Sequence, residues 1–153
     1  MKDIKYKENN YQFHYRTSGI IYNKDKTKIL LFKSSNREFY MLPGGKVNEL
    51  ESSETALKRE IKEETGLEIE IKNFKAFCEV IVKDKDKIYQ QVDTVYEGIY
   101  SKDIENNEFC GFEGNWCLFK WIDINDIDNI LIEPKNIKNI LKNEKIIHIT
   151  EGF

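Results

Sequence analysis

The stretch that decides the fold runs from Gly44 to Glu68, "GGKVNELESSETALKREIKEETGLE". It reads as a loop leading into one amphipathic helix. Ser52 or Ser53 can cap the start, Glu54 lies in the first turn, and Gly66 suits the left-handed position that ends a helix. With Leu57 at zero on a helical wheel, Ile61 falls at about 40°, Glu64 at about 340° and Glu60 at about 300°. Leu57 and Ile61 therefore point at a core, and Glu60 and Glu64 border that apolar stripe. Arg59 is one turn before Glu63 and can pair with it.

A charged helix is ordinarily a solvated face laced with salt bridges. Three penalties count against that reading here. Glu60 and Glu64 repel each other at i,i+4, at roughly 0.2–0.5 kcal/mol. Acids in the last turn oppose the helix dipole, at roughly 0.3–1 kcal/mol each. Carboxylates at the edge of burial also lose hydration. A divalent cation turns all three penalties into attraction, and clustered carboxylate oxygens suit Mg²⁺ or Mn²⁺. The "PGG" before the helix lets a main-chain carbonyl turn toward such an ion, and Glu51 stands just ahead of the helix start.

Outward from the helix, the chain reads as alternating short elements. Tyr11–Tyr22 is rich in aromatic and β-branched residues and reads as strand, as do "KILLFK" (Lys28–Lys33), "LEIEIKNF" from Leu67, Ile88–Tyr100 and "WCLFKWI". "KDKDK" is a hairpin turn, a polar loop runs to Asn115, and "INDIDNI" reads as a short helix. Pro134 fits the first turn of another helix, and "KIIHIT" is a last edge strand. Residues 1–10 read as a loose arm. Strands around one prominent helix give an α+β or α/β sandwich, and 153 residues fit one domain over 1–153.

The net charge of −3 excludes long-range attraction to nucleic acid or an anionic membrane, so a polyanionic substrate needs local cations. The three cysteines, Cys78, Cys110 and Cys117, lack zinc-site spacing and read as idle thiols of a reducing compartment. The N-terminal stretch has no signal-peptide core, and no apolar run reaches the ~18 residues of a membrane span. A cytoplasmic location is expected.

The residues Gly45, Glu51, Arg59, Glu60, Ile61, Glu63, Glu64, Gly66 and Leu67 resemble the box of the Nudix (MutT-like) hydrolases at every defined position. Asn48 and Leu50 depart from common choices, but neither is a box position. The resemblance implies an α/β class fold, an α/β/α sandwich with a mixed β-sheet. It also implies water attack on the phosphorus of a nucleoside diphosphate linked to another group, with Mg²⁺ or Mn²⁺ as cofactor. Carried over residue by residue, Glu60 and Glu64 are metal ligands and Gly45 a backbone ligand. Glu63 binds a further metal or orients the water, and Arg59 holds Glu63 or Glu64. Glu51 supports the helix start, and Gly44 and Gly66 shape the motif.

The resemblance leaves the general base open between a box glutamate and a later loop glutamate. Glu63 is preferred because its helix and Arg59 fix it, and Glu113 and Glu108 are the loop candidates. Tyr40 stands where many members place an aromatic residue that can pack on a base. Arg16 and Arg37 are the candidate phosphate contacts, and His14 and His148 read as structural or exposed. The implied partner is a small nucleotide-type diphosphate, without a DNA-binding module or a membrane, and a homodimer is compatible. Two alternatives share this fold: a catalytically silent nucleotide-binding module, and an isomerase of isopentenyl diphosphate. All box acids are present, which disfavours the first. No Cys and Glu pair in the isomerase pattern is evident.

Overall fold

The computed structural model describes residues 1–153. Its spine is β2 (Tyr11–Asn23), formed by the aromatic and β-branched run read in the sequence. Along one edge β2 pairs in parallel with β6 (Lys87–Tyr100) over its whole length. The other edge is shared by three antiparallel partners. They are β1 (Lys5–Glu8) at Tyr11–His14, β4 (Gly44–Lys46) at Arg16–Ser18, and β3 (Lys28–Ser34) at Ile21–Tyr22. Beyond β6 lie β5 (Glu70–Asp84), antiparallel, and β9 (Ile147–Glu151), parallel, at the edge. Beyond β3 lie β8 (Cys117–Asp123) and β7 (Glu108–Cys110). The sheet is mixed.

Helices cover both faces. α1 (Ser53–Thr65) starts at Ser52, whose side-chain oxygen accepts the Thr55 N–H, and ends at Gly66, which holds φ +74°. It buries Leu57 and Ile61 against Ile21, Leu30, Phe119 and Trp121. Full burial of two such side chains contributes about 1.5–3 kcal/mol each, which outweighs the charge penalties of the last turn. The opposite face carries a 3-10 helix (Ile124–Asn129) and α2 (Ile137–Lys142). Their Ile127, Ile137 and Ile140 pack with Ile20, Val95 and Ile149. The α/β/α layering expected from the sequence is the one observed.

Four local expectations differ. Residues 5–8 are not a loose arm: they form β1, whose side chains are all exposed, so it is held by the backbone ladder and the Tyr6–Tyr11 ring contact, and no apolar pattern marks it. The strand expected from Leu67 begins at Glu70, because Leu67 and Ile69 pack instead beside the α1 core, and it then runs on to Asp84 through two register shifts. The polar loop before Asn115 contains β7, too short to show a period. Pro134 lies outside the last helix, which begins at Ile137 after a turn closed by the Ile137 N–H on the Pro134 carbonyl. No helix is long and apolar enough to cross a membrane.

Candidate active site

The box loop is fastened before the helix starts. Pairing of β4 with β2 sets Gly45 opposite Thr17 and Gly44 opposite Ser18. A Cβ on Gly44 would overlap the Thr17 carbonyl, and one on Gly45 would overlap the Glu60 carboxyl group. At Gly44 the obstacle is main chain, so that position requires glycine, whereas at Gly45 it is the end of the Glu60 side chain. The main chain at Gly45 thus lies directly against Glu60.

Arg59 ties the loop to the helix. Its Nε donates to Glu51 Oε1 at 2.8 Å and its Nη2 to Glu51 Oε2 at 3.0 Å, a bidentate pair. Nη2 also reaches the Lys46 carbonyl at 3.1 Å. Nη1 donates to Glu60 Oε1 at 2.8 Å and to Glu63 Oε2 at 3.0 Å. The expectation that Arg59 holds Glu63 or Glu64 is met at Glu63 and not at Glu64. Glu51, almost fully enclosed, also accepts the Asn48 N–H at 3.0 Å, so it braces the loop. Hydrogen bonds from Arg59 hold the Glu51 carboxyl below the usual carboxylate range, and Glu51 in turn raises the guanidinium above its own.

Glu60 and Glu64 are differently placed. Burial pushes the Glu60 carboxyl up, against the pull of Arg59. The Glu64 carboxyl has no hydrogen-bond partner, and burial, then Glu60, then Glu113 push it up to about 8. Two adjacent half-buried carboxyls are thus left with too little positive charge. Their oxygen chemistry, and the main chain closed onto Glu60, fit a hard divalent cation. The side chains do not stand as a finished cluster, since no three acid, His or Cys groups converge. Glu63 is 61% exposed, and its carboxylate shares the Arg59 Nη1 with Glu60.

The loop before β8 closes the end of α1. The Phe112 N–H donates to the Glu64 carbonyl at 2.8 Å, and Gly111 packs on the same carbonyl. This brings the exposed Glu113 close enough to push up Glu64, with its carboxylate free of any partner. Arg16, half-buried on β2, lies on the other side and lowers both Glu60 and Glu64.

The remaining candidates are not gathered here. Arg37 is exposed, stacked 5.3 Å over Phe39 and reaching Met41 Sδ. Tyr40 packs on the α2-side core, with the Lys33 ammonium 5.7 Å over its ring. Glu108 pairs with Lys120, and His148 contacts Glu79 at 2.8 Å. Burial pushes the thiols of Cys78 and Cys117 up to about 12, so neither is a ready nucleophile.

Sequence reasoning missed Asp93. It sits on β6 directly across from Arg16, and its carboxyl is enclosed, with Oδ2 accepting from Ser18 Oγ at 2.7 Å and Oδ1 lacking any partner. A signal was present: in "QQVDTVY" the lone acid alternates with Val95 and so faces inward.

Comparison with known proteins agrees with this fold. The family model described as the NUDIX domain matches residues 12–143. The Nudix hydrolase YvcI of Bacillus subtilis is 29% identical over 129 residues, covering 80% of this chain and 77% of its own. An 8-oxo-dGTP diphosphatase of Buchnera aphidicola is 36% identical over 115 residues, covering 71% of this chain and 76% of its own. Among solved structures, a MutT protein from Bacillus halodurans superposes with a TM-score of 0.64 at 19% identity, over 90% of this chain and 89% of that one. A C. elegans Ap4A hydrolase does so at 0.60 and 18% identity, over 84% and 93%.

Proposed function

Because this chain belongs to the Nudix hydrolase family, we propose that it is a divalent-metal-dependent pyrophosphohydrolase. Its substrate is a small nucleoside diphosphate linked to another group, and water attacks phosphorus. One observation carries the reading: Glu60 and Glu64 share a helix edge, both pushed up, with the Gly45 main chain closed against Glu60.

Mg²⁺ or Mn²⁺ held by Glu60 and Glu64, with the main chain at Gly45, would cancel the charge that makes a diphosphate resist an incoming oxygen nucleophile. Arg59 fixes the Glu60 carboxylate in orientation and, through Glu51, locks the helix to the loop. Arg16 neutralises substrate phosphate from the β2 side. A carboxylate then takes the proton released by the water. Glu113 is the better placed, because it lies beside Glu64 and no cation engages it, whereas Arg59 occupies one Glu63 oxygen.

The test is a panel of nucleoside triphosphates, 8-oxo-dGTP, dinucleoside polyphosphates and nucleotide sugars, with Mg²⁺ or Mn²⁺, scored by product mass. The expected result is cleavage within a diphosphate bridge of at least one class, abolished by EDTA and restored by added metal. Undiminished turnover in EDTA overturns the mechanism.

A further inference from the structure

Asp93 Oδ1 is the one enclosed side-chain oxygen or nitrogen without a hydrogen-bond partner. An orphaned buried acceptor costs about 1–3 kcal/mol, more when charged, so a fold that keeps one has a reason to. Its neighbours narrow the reason. Across the parallel β2–β6 ladder Asp93 is in register with Arg16, and across the antiparallel β5–β6 ladder with Cys78. Cys78 is a weak donor whose thiol is held neutral. Ser18, two residues along β2, already serves the other oxygen, Oδ2.

Arg16 is the complementary half. It makes no side-chain hydrogen bond or ion pair, although three carboxyls feel its charge: Glu60, Glu64 and Asp93. A guanidinium carries five N–H donors in a rigid fork, enough to hold one carboxylate oxygen and still grip a phosphate.

We propose that Asp93 is a positioning residue for Arg16: the guanidinium settles on the free Oδ1 and presents its remaining N–H groups to a substrate phosphate. Ser18 holds Oδ2, which leaves Oδ1 as the oxygen free for Arg16. Burial pushes the Asp93 carboxyl up and Arg16 opposes this, so closer approach by the guanidinium favours the ionised form. This inference rests on the reading of Arg16 as a phosphate contact.

The experiment is a double-mutant cycle over Arg16→Ala and Asp93→Asn. It uses Mg²⁺-loaded protein and two readouts: steady-state kinetics on the best substrate of the panel, and calorimetric affinity for a non-hydrolysable methylene-bridged nucleoside diphosphate. Each single variant should raise KM and weaken the analogue by about tenfold or more, with kcat changed less than about threefold. The double variant should be no weaker than Arg16→Ala alone, because the pair acts as one unit. Ser18→Ala, which leaves the carboxyl present but unheld, should give a smaller loss in the same direction. It also serves if Asp93→Asn melts early. Fully additive losses, an Asp93→Asn variant like the parent, or a fall in kcat at unchanged KM would each overturn the proposal. The two readings fail separately. Coupling in analogue binding without any turnover sinks the hydrolase reading alone, and turnover without coupling sinks this one alone.

Discussion

The main chain at Gly45 lies directly against the Glu60 carboxyl, with no room for a Cβ between them. Gly45 keeps an ordinary backbone conformation, so alanine fits its torsion angles, and the obstacle is the Glu60 side chain alone. Gly45→Ala should therefore fold, with a melting temperature within a few degrees of the parent, because the Glu60 carboxyl can rotate away. Rotation displaces Glu60 from Arg59 and from Glu64. Turnover should fall by about a hundredfold, since small misplacements at a reacting centre cost that much. Parent-like kcat/KM in a folded Gly45→Ala protein would show that this contact positions nothing.

A second prediction concerns pH. Glu64 has an ordinary value of 4.5 and is pushed up to about 8 in the fold, first by burial. Between those values the folded state binds more protons than the unfolded chain, so stability falls as pH rises. The contribution is fully present below the ordinary value and is lost as pH passes through about 8. Thermal melts in chelator from pH 5 to pH 9 should show this decline, and Glu64→Gln should flatten it and melt higher than the parent at pH 9. Activity of the variant should drop by about a hundredfold or more, because each 1.36 kcal/mol of lost transition-state stabilisation is tenfold. An identical pH profile in parent and variant would place the charge strain elsewhere.

Glu51 gives a prediction of the opposite sign. Arg59 holds its carboxyl below the usual range, so its contribution is present above pH 4.5 and lost as pH falls through the lowered value. Glu51→Gln keeps the shape but removes one partner of an enclosed charge-assisted pair, at about 2 kcal/mol. The melting temperature at pH 7 should fall by several degrees and the acid-side difference from the parent should close. A variant that melts like the parent at pH 7 would mark the pair as idle.

The helix and the placement of its acids were legible in the sequence for a physical reason. A 3.6-residue period, a serine cap and a terminal glycine are local signals, and the placement of Glu60 and Glu64 beside Leu57 and Ile61 follows from that period. What was illegible depends on contacts between distant segments. β1 carries three charges and one tyrosine, all exposed, so nothing in Lys5–Glu8 records that the backbone of β2 needs a partner there. The bond from Arg59 to the Lys46 carbonyl and the braces on Glu51 need the β4 pairing that brings the loop over the helix. Asp93 faces Arg16 only because β2 and β6 run in parallel, a pairing seventy-seven positions apart that no local pattern encodes.

The last prediction separates the two candidate bases. Glu63 is tethered by Arg59 and largely exposed, whereas Glu113 stands beside Glu64 on a loop pinned by the Phe112 bond to the Glu64 carbonyl. Removing a general base typically costs about 10²–10⁴ in rate, and a bystander acid costs little. Glu113→Gln should therefore lower kcat by at least about a hundredfold at saturating Mg²⁺ and lose the acidic limb of the pH profile. Glu63→Gln should lower it less, and raised metal should restore much of the loss if Glu63 helps to hold an ion. Thermal melts should leave both variants close to the parent, because both side chains are exposed. Loss of the acidic limb in Glu63→Gln, unrescued by metal, would transfer the role to the helix residue. Parent-like kcat in both would exclude the pair and turn attention to Glu108, whose carboxylate would then have to leave Lys120 to act.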